Sequence, residues 1–100
     1  MDVEINWSNE AFETFQENIN YLQEKWSEKE VIRFIQQTEN IISRLKRFPL
    51  SYPPGYKNKG YRKARLNKYI ALFYSFYKSD NKIVLLSFWN TKRDPNKIKY

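Results

Sequence analysis

Residues 61–90 read YRKARLNKYIALFYSFYKSDNKIVLLSFWN, and the division of this stretch decides the fold. The segments IALFYSFY and KIVLLSFWN flank the polar turn Ser79-Asp80-Asn81, a pattern that predicts a β-hairpin. Ahead of them lies YRKARLNKY, with Arg62, Lys63, Arg65 and Lys68, expected as a third strand beside the pair. Side chains alternate across a strand, so each segment splits into two faces. Ile70, Leu72, Tyr74 and Phe76 form the more apolar set of one segment, and Val84, Leu86 and Phe88 that of the other. Ala64 and Leu66 are the uncharged candidates in the basic segment, and all of these are expected to meet helices. The opposite face then carries Lys63, Arg65, Tyr69, Phe73, Tyr77, Ile83, Leu85, Ser87 and Trp89. It is expected to stay open as a partner surface.

The chain before this block supplies the cover. Val3, Ile5 and Trp7 alternate with Asp2, Glu4 and Asn6, which predicts a half-buried strand. Ser8 stands at a helix N-cap position with Glu10 in the first turn. Phe12, Phe15, Ile19, Leu22 and Trp26 follow at spacings of three and four, giving an amphipathic helix with these residues in the core. Ser27 and Glu30 form an S-x-x-E capping box before a second helix. Its stripe is Val31, Ile35, Thr38, Ile42 and Leu45, widened by Phe34, Ile41 and Phe48. Arg44, Lys46 and Arg47 suit the negative end of its dipole, and Pro49 stops it. Residues 49–60 read as a loop, because Pro53-Pro54-Gly55 disfavours regular structure. The sum is one α+β domain over residues 1–100. Its order is β-α-α-β-β-β, with a helical hairpin packed on one face of a mostly antiparallel sheet.

Composition narrows the chemistry. The chain has no cysteine, which excludes disulfides and thiolate metal sites and points to a reducing compartment. It has no histidine either, which removes the usual zinc ligand and the usual neutral-pH acid–base group. Asp80 and Asp94 are the only carboxylate side chains after Glu39, so no metal or other cofactor is expected. Met1-Asp2-Val3-Glu4 is acidic where a secretory signal is basic, and the apolar run over residues 69–77 is too short for a bilayer. A cytoplasmic protein without a membrane partner is expected. Net charge is +7, but residues 1–40 carry three basic and nine acidic side chains and residues 41–100 carry fifteen and two. Such a basic half favours a polyanion or an acidic protein partner.

Three sets of residues can carry function. Lys63 and Arg65 lie two apart, on the same side of a strand, where they either grip a phosphate or form a solvated edge that discourages aggregation. Lys92, Arg93, Lys97 and Lys99 cluster at the exit of the last strand. Arg93 either reaches a phosphate or pairs with Asp94, and Tyr100 either moves a proton or frays with the terminus. Arg62, Lys68, Lys92 and Lys97 are the further nucleic-acid-binding candidates. Tyr69, Phe73 and Trp89 can stack bases, but a protein partner is the favoured occupant.

The chain resembles the RelE/ParE superfamily of bacterial type II toxin–antitoxin toxins. The resemblance lies in Ile5-Asn6-Trp7-Ser8 with Ala11, in the helical hairpin and in Arg47-Phe48-Pro49. It continues through YRKARL, YIALFYSFY and the ending FWNTKRDP. It implies a small toxin neutralised by an acidic antitoxin that wraps the open face and the basic groove. RelE-like members cleave mRNA on the ribosome, whereas ParE-like members inhibit DNA gyrase without catalysis. On the first reading Lys63 and Arg65 match the paired basic residues of the second strand, and Arg93 matches the arginine after the last strand. The third-strand arginine of RelE-like enzymes is replaced by Ile70, and the glutamate and histidine of another nuclease subgroup have no counterpart. A plain RNA-binding module is a third reading of the basic half.

Overall fold

The computed structural model describes residues 2–54 and 60–92. Strand β1 (Glu4–Trp7) leads into helices α1 (Asn9–Lys25) and α2 (Glu28–Arg47), followed by strands β2 (Arg62–Arg65), β3 (Ile70–Tyr77) and β4 (Lys82–Asn90). The sheet order is β1-β4-β3-β2, with β1 parallel to β4 and the other neighbours antiparallel. The expected α+β architecture with its helical hairpin on one face is therefore present. The β3–β4 turn is a short 3-10 segment, Lys78–Asp80, closed by Asn81 at φ 49°. Asparagine is among the few residues other than glycine that enter this left-handed region readily.

Local chemistry explains the helix starts, with one exception. The Ser8 hydroxyl accepts the Ala11 amide at 3.0 Å, as an N-cap should. The capping box at Ser27 and Glu30 does not form. Ser27 makes no side-chain cap bond, and Glu30 instead pairs with Arg33 at 3.4 Å. The short junction folds α2 back on α1 without it.

The inward faces differ in detail from the periodic stripes. In α1 the buried residues are Ala11, Asn18 and Leu22, while Phe12 and Trp26 stand 58% and 52% exposed. In α2 they are Val31, Phe34, Thr38, Ile41 and Leu45, with Ile35 and Ile42 half-buried and Phe48 exposed. Trp7, Phe15, Phe34 and Phe88 form the aromatic centre, with neighbouring rings 5.1–5.8 Å apart. Tilted and edge-on contacts of this kind suit the ring quadrupoles. Each fully buried side chain of this size contributes about 1.5–3 kcal/mol through lost contact with water.

A bulge in β4 reverses the expected faces of its first half. Phe73 pairs with Ser87 but Tyr74 pairs with Leu85, so Leu86 is the extra residue. The two-residue alternation slips by one at that point. Ile83 and Leu85 before the bulge, and Phe88 after it, all lie in the core with Ala64, Leu66, Ile70, Leu72 and Tyr74. Val84 and Leu86, expected under the helices, stand outside that core. The opposite face is also not open. Ala71, Phe73, Ser75 and Ser87 are each 5% exposed or less. The chain at the end of the loop helps to close it, since the Ser75 hydroxyl donates to the Gly60 carbonyl at 3.3 Å.

The same bulge sits where β1 runs out. β1 pairs with β4 only as far as Trp7 opposite Leu85, and beyond that point α1 takes over. The Ser8 amide and hydroxyl donate to the carbonyls of Leu85 and Leu86, each at 3.0 Å. One turn further, the Phe88 amide donates to the Thr14 hydroxyl at 2.9 Å, and Asn18 Nδ2 donates to the Phe88 carbonyl at 3.2 Å. Asn90 Nδ2 then donates to Asn18 Oδ1 at 3.0 Å. Asn18 is buried because β4 needs its amide. Replacing Asn18 by leucine strands the Phe88 carbonyl and the Asn90 amide, and urea denaturation should show a loss of about 3 kcal/mol. The exposed change Asn20→Ala should stay within about 0.5 kcal/mol; an equally small loss for Asn18→Leu would contradict this role.

Candidate functional site

β2 is the sheet edge that carries the charge, and its register sorts the cations. Lys63 pairs with Phe73 and Arg65 with Ala71, so both stand on the face away from the helices. Arg62 and Ala64 pair with Tyr74 and Leu72, on the helix side. Across the outer face run two rows, Arg65–Ala71–Trp89 and Lys63–Phe73–Ser87. Ala71 and Phe73, both buried, lie between the cations of β2 and the Trp89–Ser87 side of β4. Trp89 is half-buried, and its indole N–H is buried without an acceptor.

The loop braces β2. The Lys63 amide donates to the Pro53 carbonyl at 2.9 Å, and Pro54 bridges to Arg62. Lys63 is half-buried, and this burial, with Arg65 nearby, holds its ammonium below the ordinary lysine pKa. Lysines shifted in this way are candidates for proton transfer. Arg65 is exposed, with one guanidinium N–H on the Lys68 carbonyl at 3.2 Å. Its other donors can take an anion in a forked geometry.

Arg62 does different work. Its guanidinium donates to the Tyr52 carbonyl at 2.8 Å, on the opposite side from Lys63, so it ties the loop to β2. Tyr74 does the same from β3, its hydroxyl donating to the Pro49 carbonyl at 2.8 Å. Burial pushes the Tyr74 phenol up to about 12, against a smaller opposing pull from Arg62.

The three aromatic candidates do not form one patch. Phe73 is fully buried, and Trp89 lies on the outer face. Tyr69 precedes β3, and an Asx turn, in which Asn67 Oδ1 accepts the amides of Tyr69 and Ile70, directs its ring to the helix side. There it packs on the core, 6.4 Å from the Trp26 ring. Lys68 and Lys92 hold their ammonium groups 5.8 and 5.2 Å from the Tyr69 ring, away from the Lys63–Arg65 pair. Arg93, Lys97, Lys99 and Tyr100 lie outside the described residues. Among the described residues no cluster of three metal-ligating side chains exists, and no helix is long and apolar enough to cross a membrane.

Sequence reasoning missed the cleft that this arrangement creates. Tyr21, Trp26, Arg33, Gln37, Asn67 and Tyr69 line it, although the periodicity of α1 predicts Trp26 in the core. The available signal was position. Trp26 directly precedes the Ser27 cap, where a helix end exposes its last side chain.

Residues 5–95 match the family model described as the ParE toxin of the type II toxin–antitoxin system, parDE. No curated protein matches the chain by sequence. The chain is similar in fold to a component of the chromosomal ParDE system from P. aeruginosa, at 10% identity and TM-score 0.71, covering 88% of this chain and 95% of that one. It is also similar to a chain of the RelBE2 complex from Mycobacterium tuberculosis, at 16% identity and TM-score 0.64, covering 90% and 92%. A chain of the E. coli DinJ-YafQ complex gives 15% identity and TM-score 0.62, covering 94% and 98%.

The raised Tyr74 pKa carries a stability prediction. A phenol that resists ionisation when folded stabilises the protein up to its unfolded pKa near 10, and that contribution is lost as pH rises toward about 12. Tyr74→Phe should cost about 1 kcal/mol at neutral pH through the lost hydrogen bond. Between pH 10 and about 12 it should also lose less stability than the parent protein. Denaturant melts across that range check both outcomes, and parallel pH curves would contradict the assignment.

Proposed function

The chain belongs to the ParE toxin family of type II toxin–antitoxin systems, and we propose that it arrests growth by cleaving mRNA at Lys63 and Arg65 until an antitoxin covers them. The observation that carries this reading is the pairing of a lysine of lowered pKa with an exposed arginine on one sheet face. A neutral Lys63 Nζ takes the proton of an RNA 2′-hydroxyl, and that oxygen attacks the adjoining phosphorus. The bond to the 5′-oxygen breaks, leaving a 2′,3′-cyclic phosphate and a 5′-hydroxyl that takes its proton from water. Arg65 donates to the non-bridging oxygens, whose charge grows in the transition state. Arg93 belongs to the same proposal, as a second cation on that charge.

The neutralising partner is an acidic antitoxin. The similar folds in the RelBE2 and DinJ-YafQ structures come from toxin–antitoxin complexes, which supports such a partner. Charge complementarity with the basic half of the chain supports its acidity. Both mRNA and gyrase are cytoplasmic targets, and that compartment is part of the proposal.

A second reading is gyrase inhibition without catalysis. It is favoured by the ParE family match and by the absence, among the described residues, of a carboxylate ion-paired with Lys63 or Arg65 as a second proton carrier. On that reading the same two cations only grip the target.

Mapping mRNA ends in a translating extract separates the two. Lys63→Ala with Arg65→Ala should reduce cleavage about a hundredfold or more. The parent rate should rise with pH toward the lowered Lys63 pKa, and Lys63→Arg, which stays charged, should abolish that rise. Intact mRNA beside inhibited supercoiling would replace the first reading by the second.

A further inference from the structure

We propose that the cleft between the tip of the helical hairpin and the β2–β3 turn binds one nucleotide of a single-stranded nucleic acid. Its base lies against Trp26 and Tyr69, and its phosphate lies between Lys68 and Lys92. This site is on the opposite side of the sheet from Lys63 and Arg65 and does not depend on cleavage there.

Four observations converge on it. The cleft encloses ≈ 170 Å³, large enough to take a planar ring rather than a single ion. Trp26 is 52% exposed, and its ring lies 6.4 Å from that of Tyr69 at an inclination of 48°, which leaves aromatic surface for stacking. Lys68 and Lys92 both approach the Tyr69 ring, and neither meets a carboxylate among the described residues. Arg33, by contrast, is already paired with Glu30. Finally, the Gln37 carbonyl accepts the Asn67 side-chain amide at 3.0 Å, which leaves the Gln37 NH₂ as a donor for a base edge.

The chemistry favours a nucleotide over an acidic peptide. A peptide carboxylate would satisfy the lysines but leave the Trp26 face and the Gln37 donor unused. A base with its phosphate uses all three, and stacking of this kind tolerates any base. The Arg65 guanidinium rests on the Lys68 carbonyl at 3.2 Å, so cations continue from the outer face around the β2–β3 turn toward the cleft. A strand held on one side can follow them to the other.

The test is an NMR titration of the purified protein with a 2′-O-methyl oligoribonucleotide, which cannot be cleaved through its 2′-oxygen. The Trp26 indole N–H peak, assigned with Trp26→Phe, should shift saturably. Lys68→Ala with Lys92→Ala should weaken the shift and lower the slope of log affinity against log salt by ~0.7, the share of the one single-strand phosphate they hold. Trp26→Ala should weaken binding about tenfold. Cleavage is blocked in this oligonucleotide, so loss of the cleavage reading would not affect the Trp26 shift. An unmoved Trp26 peak would overturn the proposal, as would a shift of undiminished affinity without Lys68 and Lys92. A Trp26 shift produced by a polyglutamate peptide and not by the oligonucleotide would assign the cleft to a protein partner instead.

Discussion

The structure depends on how α1 completes the edge of β4. A strand edge with nothing beside it leaves amides and carbonyls unpaired, and burying them in that state is costly. β1 is only four residues long and covers the first half of β4. Along the second half, Ser8, Thr14 and Asn18 supply the donors and acceptors that a longer strand would have supplied. Thr14 can accept from Phe88 because its own proton goes to the Glu10 carbonyl at 2.7 Å. The helix is thereby held at one height and rotation on the sheet, and the aromatic cluster of Trp7, Phe15, Phe34 and Phe88 packs beneath it.

The bulge at Leu86 is the other half of this arrangement. It falls where the edge of β4 changes partner from strand to helix, and it brings Ile83, Leu85 and Phe88 onto one face. With the helices committed to that face, β2 turns Lys63 and Arg65 to the other. The loop then stiffens the charged strand through Pro53 and Tyr52, and is tied to β3 through Pro49. Two features result on opposite sides of the sheet: the Lys63–Arg65 cation pair, and an aromatic cleft with Lys68 and Lys92 beside it. Arg62 shows how strictly parity governs function here. It is next to Lys63 in sequence, yet it serves the loop because alternation turns it inward.

Much of this was legible in the sequence, for identifiable reasons. The hairpin, the Ser8 cap and the Pro49 stop rest on local chemistry, which a sequence displays directly. The Lys63–Arg65 pair was found because charges two apart on a strand share a side. The bulge was not legible, since nothing about Leu86 distinguishes it from its neighbours until β3 is laid beside it. That one residue misassigned Ile83, Leu85, Val84 and Leu86 to the wrong faces. Asn18 was overlooked because periodicity counts apolar side chains, whereas this position is buried for its hydrogen bonds. Tyr69 was placed with Phe73 and Trp89 by simple alternation, which the Asx turn at Asn67 interrupts.

Amide hydrogen exchange at Phe88 tests this arrangement most directly. In the parent protein the Phe88 N–H, bonded to a side-chain hydroxyl of α1, should be protected as strongly as the amides of the β3–β4 ladder. In Thr14→Val it should exchange much faster while the Leu72 amide in β3 stays protected. Unchanged protection of Phe88 in that variant would contradict the claim that α1 serves as the missing strand.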